Sequence, residues 1–145
     1  MTRSIARLFV LVLAIVALAS QRAQADEVLQ WNGIAMDTLA ANRVNPFEAA
    51  RVAAIVHTAV FEAVNAVTGR YEPYLWTVSS PRGASPDAAA IAAAHAVLVH
   101  YYPGSAAALD AHRASSLAAI DDGQAKTDGI AVGLNAAAAT IAHRI

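Results

Sequence analysis

The sequence predicts an all-α fold, an Ala-rich bundle of about five helices, and three observations carry that prediction. Apolar residues recur at helical spacing, and no alternating strand pattern runs longer than a few residues. Hydrophobic residues make up 57% of the chain but aromatics only 6%, so the core is built from small side chains that let helices approach closely. Finally, Asn, Ser, Pro and Gly fall where helices start and stop. At 145 residues the chain holds one domain with one core.

The chain opens with a leader. Arg3 and Arg7 precede the apolar run 8–19 (LFVLVLAIVALA), and Ala23-Gln24-Ala25 offers small residues for cleavage. This is the pattern of a secretory signal peptide over residues 1–25. A membrane anchor is the competing reading, but twelve apolar residues fall short of the ~20 that a spanning helix needs. The expectation is an exported chain, periplasmic or secreted, with no stable membrane anchor after cleavage.

Residues 26–145 read as helices joined by short breaks. A first helix is expected over about Val28 to Asn42, weakened by Gly33. Asn45-Pro46-Phe47-Glu48 is a complete start signal. Asn45 can accept from the free amides of the first turn, Pro46 suits the first helical position, and Glu48 can reach back to the cap amide. The second helix then runs over 46–68 and stops at Gly69. Val52, Val56, Val60, Ala63 and Val67 share one face of it, widened by Ala53 and Val64. Arg51, Thr58, Glu62 and Asn65 form a polar stripe opposite. That stripe is expected to hydrogen-bond loops or neighbouring helices, a cleft lining being the alternative.

Pro73, Pro81 and Gly83 break the stretch 70–85. Its Tyr71, Tyr74, Leu75 and Trp76 are expected to pack down on the helices. Ser85-Pro86 restarts a third helix that ends before Pro103-Gly104. A fourth is expected from about Ser105 to Ala119, then a turn at Asp121-Asp122-Gly123 with Asp122 as cap. A fifth starts near Gln124 and is still running at Ile145. Its Gly129 and Gly133, followed by Ala137, form a groove that lets another helix come close.

Composition narrows the function. Without residues 1–25 the chain keeps seven basic residues against eleven acidic, a net charge of −4, which argues against a nucleic-acid surface. There is no cysteine, hence no disulfide, zinc–thiolate site or catalytic thiol. His95 and His100 are five apart and diverge on a helix. His57, His112 and His143 have no acidic or His neighbour at ligand spacing, and His57 reads as a satisfied core residue. No HExxH, GxSxG, GxxxxGK[ST] or GxGxxG frame occurs. The sequence thus names no catalytic, cofactor-binding or metal residue.

Four stretches nevertheless form a pattern: ARVAAIVHTAVFEAVNAV (50–67), YEPYL (71–75), SPDAAAIAAAHAVLVHYYP (85–103) and DGQAKTDGIAVGLNAAAATIAHR (122–144). In this order they resemble the N-terminal helical region of bacterial proteins related to vanadium-dependent haloperoxidases and type-2 phosphatidic acid phosphatases. The chain departs from that family in having Glu62-Ala63 where Asp-Ala is frequent. The resemblance implies a several-hundred-residue relative whose C-terminal half binds vanadate or phosphate through Lys, Arg and a Pro-Ser-Gly-His motif. Those motifs do not occur here, and Lys126 is the only lysine. No catalytic residue carries over, and vanadate or phosphate is expected only in full-length relatives. The expectation is an incomplete part of a larger helical domain: a support for a missing oxyanion-binding half, inactive alone, and prone to self-association. The alternative is a free-standing periplasmic helical module that binds a partner or small ligand.

Overall fold

A computed structural model describes residues 27–75 and 77–143. The expected leader, Trp76 and the end of the chain lie outside the described residues. Among the described residues there are five α-helices: α1 (residues 27–41), α2 (Pro46–Thr68), α3 (Pro86–Tyr101), α4 (Ala106–Ala118) and α5 (Gln124–His143). A 3-10 turn, Pro103–Ser105, precedes α4 and takes up what the sequence suggested was its first turn. No strand occurs among the described residues, so the fold is all-α.

The sequence of α3 explains its place at the centre. It is apolar all round, and such a helix has no side to give to water. Ala88, Ala89, Ala90, Ile91, Ala92, Ala93, Ala94, Val97 and Leu98 are all buried. Helices α2, α4 and α5 pack around it, and α2 also packs on α5. The α3–α5 contact is the most intimate. A Cβ on Gly129 would meet the Ser85 carbonyl oxygen at 2.3 Å, and one on Gly133 would meet that of Ala89 at 2.3 Å. The small-residue groove of α5 therefore has its partner inside this bundle. The expectation of self-association drew partly on that face, and α3 already fills it.

Local signals set the ends. The Asn45 side chain accepts from the amides of Phe47 (3.1 Å) and Glu48 (3.0 Å). Gly69 closes α2 in the left-handed region, at φ 60°, and donates to the Asn65 carbonyl. Ser85 Oγ accepts from the Ala88 amide at 3.2 Å, and the Ser85 amide donates to the Ala125 carbonyl at 2.8 Å. That second bond ties the start of α3 to the start of α5.

The end of α1 had no glycine to announce it. Arg43 adopts φ 52°, its amide donates to Ala40 and the Val44 amide donates to Leu39. This pair of bonds is the Schellman arrangement, here with a left-handed arginine. Val44 then tucks against the core. At the other connection, Asp122 does not serve as the expected cap: its carboxylate accepts from Lys126 Nζ at 2.9 Å. Lys126 also donates to the Ile120 carbonyl, closing the α4–α5 turn.

The buried side of α2 is rotated from the expected valine face by roughly 60° on the helical wheel. Val52, Val56, Val60 and Ala63 are buried as expected, but Ile55, Ala59, Glu62 and Asn65 are buried with them, and Val67 is only half-buried. The polar stripe lies beside the core, not opposite it. By length and hydropathy α2 could cross a membrane, yet 44% of its most apolar window is buried in this bundle. Core helices pass the same test.

Candidate functional site

The side chains that sequence reasoning singled out do not meet in one place. Glu62 and Asn65 act on the segment after α2. Glu62, 2% exposed, accepts the Leu75 amide at 2.6 Å. Asn65 donates to the Tyr71 carbonyl (2.8 Å) and accepts the Tyr71 amide (2.9 Å). Together they strap residues 71–75 along α2. For Glu62 and Asn65 the hydrogen-bonding role expected of the stripe is what the structure shows, whereas Thr58 lines a groove, as the alternative had it. Arg51 instead stands over the Tyr101 ring, 5.7 Å from its centroid, and Thr58 bonds back to the Ala54 carbonyl.

The strap does not lay down its aromatics. Tyr71 and Tyr74 are 69% and 68% exposed, against the expectation that they pack on the helices. Leu75 and Val78 are partly buried. Asn65 and Glu62 take hold of the strap's backbone, so its tyrosines are free to face outward. The Phe61 and Tyr71 rings lie 6.3 Å apart. Between strap and helix lies an open groove of about 460 Å³, lined by His57, Thr58, Phe61, Glu72, Pro73 and Tyr74. His57 is exposed at this groove and is not the core histidine that its wheel position suggested. The reason is that the outer face of α2 is apolar too, so an apolar neighbourhood does not mean burial there.

His95 is the histidine placed in the packing. Its Nε2 lies 2.7 Å from Asp110 Oδ1 on α4, and its ring meets the edge of Trp31 at 6.2 Å. Trp31, 1% exposed, donates its indole N–H to Ser116 Oγ at 3.2 Å. This set joins α1, α3 and α4, and sequence spacing could not have found it because it spans 85 positions. His100 points elsewhere, against Tyr101, as the five-residue spacing required. Among the described residues no three His, Cys, Asp or Glu side chains gather as a metal-binding group.

Among the described residues three titrating groups are displaced from their ordinary behaviour, and all three sit at joints. Burial raises the Asp87 pKa at the start of α3. Burial, followed by the nearby Glu48 charge, raises that of Tyr102, whose hydroxyl is buried without a well-formed hydrogen bond. The bond from Lys126 and its charge lower that of Asp122. A second hollow, about 600 Å³, lies at that last joint between α4 and α5, and Lys126 occupies its rim.

The class that fold and site define is an all-α bundle whose buried polar side chains hold structure together. Comparison with protein-family models, curated proteins and solved structures gives no match.

Proposed function

We propose that this chain is an exported helical support for an oxyanion-binding part of a haloperoxidase- or phosphatase-related protein, with no catalysis of its own. The observation that carries the reading is how the polar side chains buried in the bundle are used. Thr38, Glu62, Asn65, Ser116 and Thr140 are the buried polar residues, and each bonds to a backbone group or to a neighbouring helix. Glu62 and Asn65 hold the strap and Ser116 joins α4 to α1, while Thr38 and Thr140 bond back to their own helices, so the hydrogen bonds of these five serve the fold. The four stretches that carry the resemblance fall on α2, the strap, α3 and α5, and the three helices among them pack on one another. An oxyanion needs converging cationic and amide donors. The basic side chains after the leader are one lysine and six arginines, and Lys126 is held by Ile120 and Asp122.

Sequencing the locus past the codon for Ile145 tests the proposal. An in-frame continuation with Arg-Pro and Pro-Ser-Gly-His is expected. A stop codon there, with a stably folded product, would favour the free-standing binding module, for which the groove beside Phe61 is the natural seat.

A further inference from the structure

The outer face of α2 carries an apolar seam that the bundle leaves uncovered. Phe47, Ala50, Ala54, His57 and Phe61 are all exposed. They are spaced three and four residues apart in alternation, the repeat that two packed helices share. On the wheel this seam lies on the side away from Val52, Ile55 and Ala59. The three charged residues of α2 lie off it: Glu48 stands by Tyr102, Arg51 over Tyr101, and Glu62 is under the strap. The seam itself carries no Asp, Glu, Lys or Arg.

Its two ends are complementary. At one end Phe47 is 88% exposed, a ring projecting into water. At the other is the groove of His57, Thr58, Phe61, Glu72, Pro73 and Tyr74, mostly apolar, with the Thr58 hydroxyl and the Glu72 carboxylate in its lining. The groove has a fixed wall, because Glu62 and Asn65 hold the strap's backbone. Ala50 and Ala54 lie between, small enough for a second helix to come near. A surface with a knob and a matching hole on one face is self-complementary under a two-fold axis.

We propose that a second copy of this chain docks here, α2 against α2, antiparallel and centred on Ala54. Phe47 of each copy then enters the groove beside Phe61 of the other. The rings stand fourteen positions apart, about 21 Å along the helix, and the axis at Ala54 superposes one on the other. The exposed parts of Phe47, Phe61, Tyr71 and Tyr74 offer roughly 500 Å² per copy, taking about 200 Å² for a whole ring side chain. That is below the ~800 Å² per partner of a standard stable interface, so the dimer is weak and concentration-dependent. This inference rests on the exposed face of α2 and not on the support reading.

Sedimentation velocity on protein purified from expression of the full chain tests it, run from low micromolar to several hundred micromolar. A reversible monomer–dimer equilibrium is expected. Phe47→Glu should weaken it about tenfold or more, as loss of a central aromatic anchor does, with an unchanged melting temperature. The chain has no cysteine, so single-cysteine variants report directly on which copies meet. Ala54→Cys should form a disulfide-linked dimer rapidly on mild oxidation, because the axis brings the two positions within disulfide reach. Leu134→Cys, exposed on α5, should not. A monomer at every concentration would overturn the pairing, as would association unaffected by Phe47→Glu or faster crosslinking at position 134. Phe47-dependent binding to phosphatidylcholine vesicles without dimerisation would also overturn it, by giving the face to a membrane. None of these results touches the support reading, which the locus sequence decides.

Discussion

Gly133 and Ala89 touch backbone to backbone across α5 and α3: a Cβ on Gly133 would lie 2.3 Å from the Ala89 carbonyl oxygen and 2.8 Å from the Ala92 Cβ. Neither obstacle is the end of a flexible side chain, so the helices themselves would have to part. Gly133→Ala should therefore destabilise the fold by about 1–3 kcal/mol, the range for overpacking a tight interior, despite a helix-propensity gain of about 1 kcal/mol. Gly33→Ala is the control. Nothing lies within 4 Å of its Cβ position on α1, and it should stabilise by about 0.5–1 kcal/mol. Urea melts of both variants check the pair. Equal and favourable shifts would mean that α5 does not pack this closely on α3.

The strap depends on two side chains. Glu62→Ala should cost about 1–3 kcal/mol, because the Leu75 amide loses its acceptor. Glu62→Gln keeps an acceptor oxygen and should cost less. Amide exchange gives the specific readout: protection at Leu75 should fall in Glu62→Ala, and protection at Tyr71 in Asn65→Ala. Unchanged exchange at both amides would show that the strap is held by something else.

Arg43 stands at φ 52° with an exposed side chain. A left-handed conformation costs an L-residue about 1–2 kcal/mol, and glycine avoids that at a smaller entropic penalty in the unfolded chain. Arg43→Gly should stabilise by about 0.5–1 kcal/mol. Thermal melts read the effect, and a loss of stability would reveal a contact that the arginine side chain makes.

Burial lifts the Asp87 carboxyl above its ordinary 3.8, so its ionised form opposes folding. The native state takes up this proton at higher pH than the unfolded chain does. The site's contribution to stability is thus least favourable above the folded pKa. It improves as pH falls through the folded pKa and levels off below the unfolded one. Asp87→Asn should be more stable than wild type at neutral pH, with the gap closing as pH falls through the raised folded pKa and staying closed below pH 3.8. A gap that widens on acidification would contradict the direction of the shift.

Much of this architecture was legible because its signals are local. Asn45 with Pro46, Ser85 with Pro86, and Gly69 set helix ends through side-chain caps and permitted dihedrals, which sequence displays directly. The central place of α3 is explained by its lack of a polar side once the bundle is seen, and the start and stop signals alone do not give it. What escaped reading depends on partners. Arg43 ends α1 without glycine because Val44 finds the core. The wheel of α2 misplaced its buried face because both sides of the helix are apolar, and only Glu62 and Asn65 reaching the strap reveal which way it turns. His57 was misplaced for the same reason. The Trp31–Ser116 and His95–Asp110 pairs join distant segments, and no spacing rule reaches across them. The groove beside Phe61 arises from the strap's path, which two buried side chains on another element determine.

On the proposed role these helices supply support and not chemistry. The most direct test is to assay the purified chain for vanadate-dependent bromide oxidation and for phosphate-ester hydrolysis. Rates equal to those of buffer with vanadate alone are expected. Vanadate-dependent turnover by this chain, abolished by His57→Ala at the groove, would contradict that role.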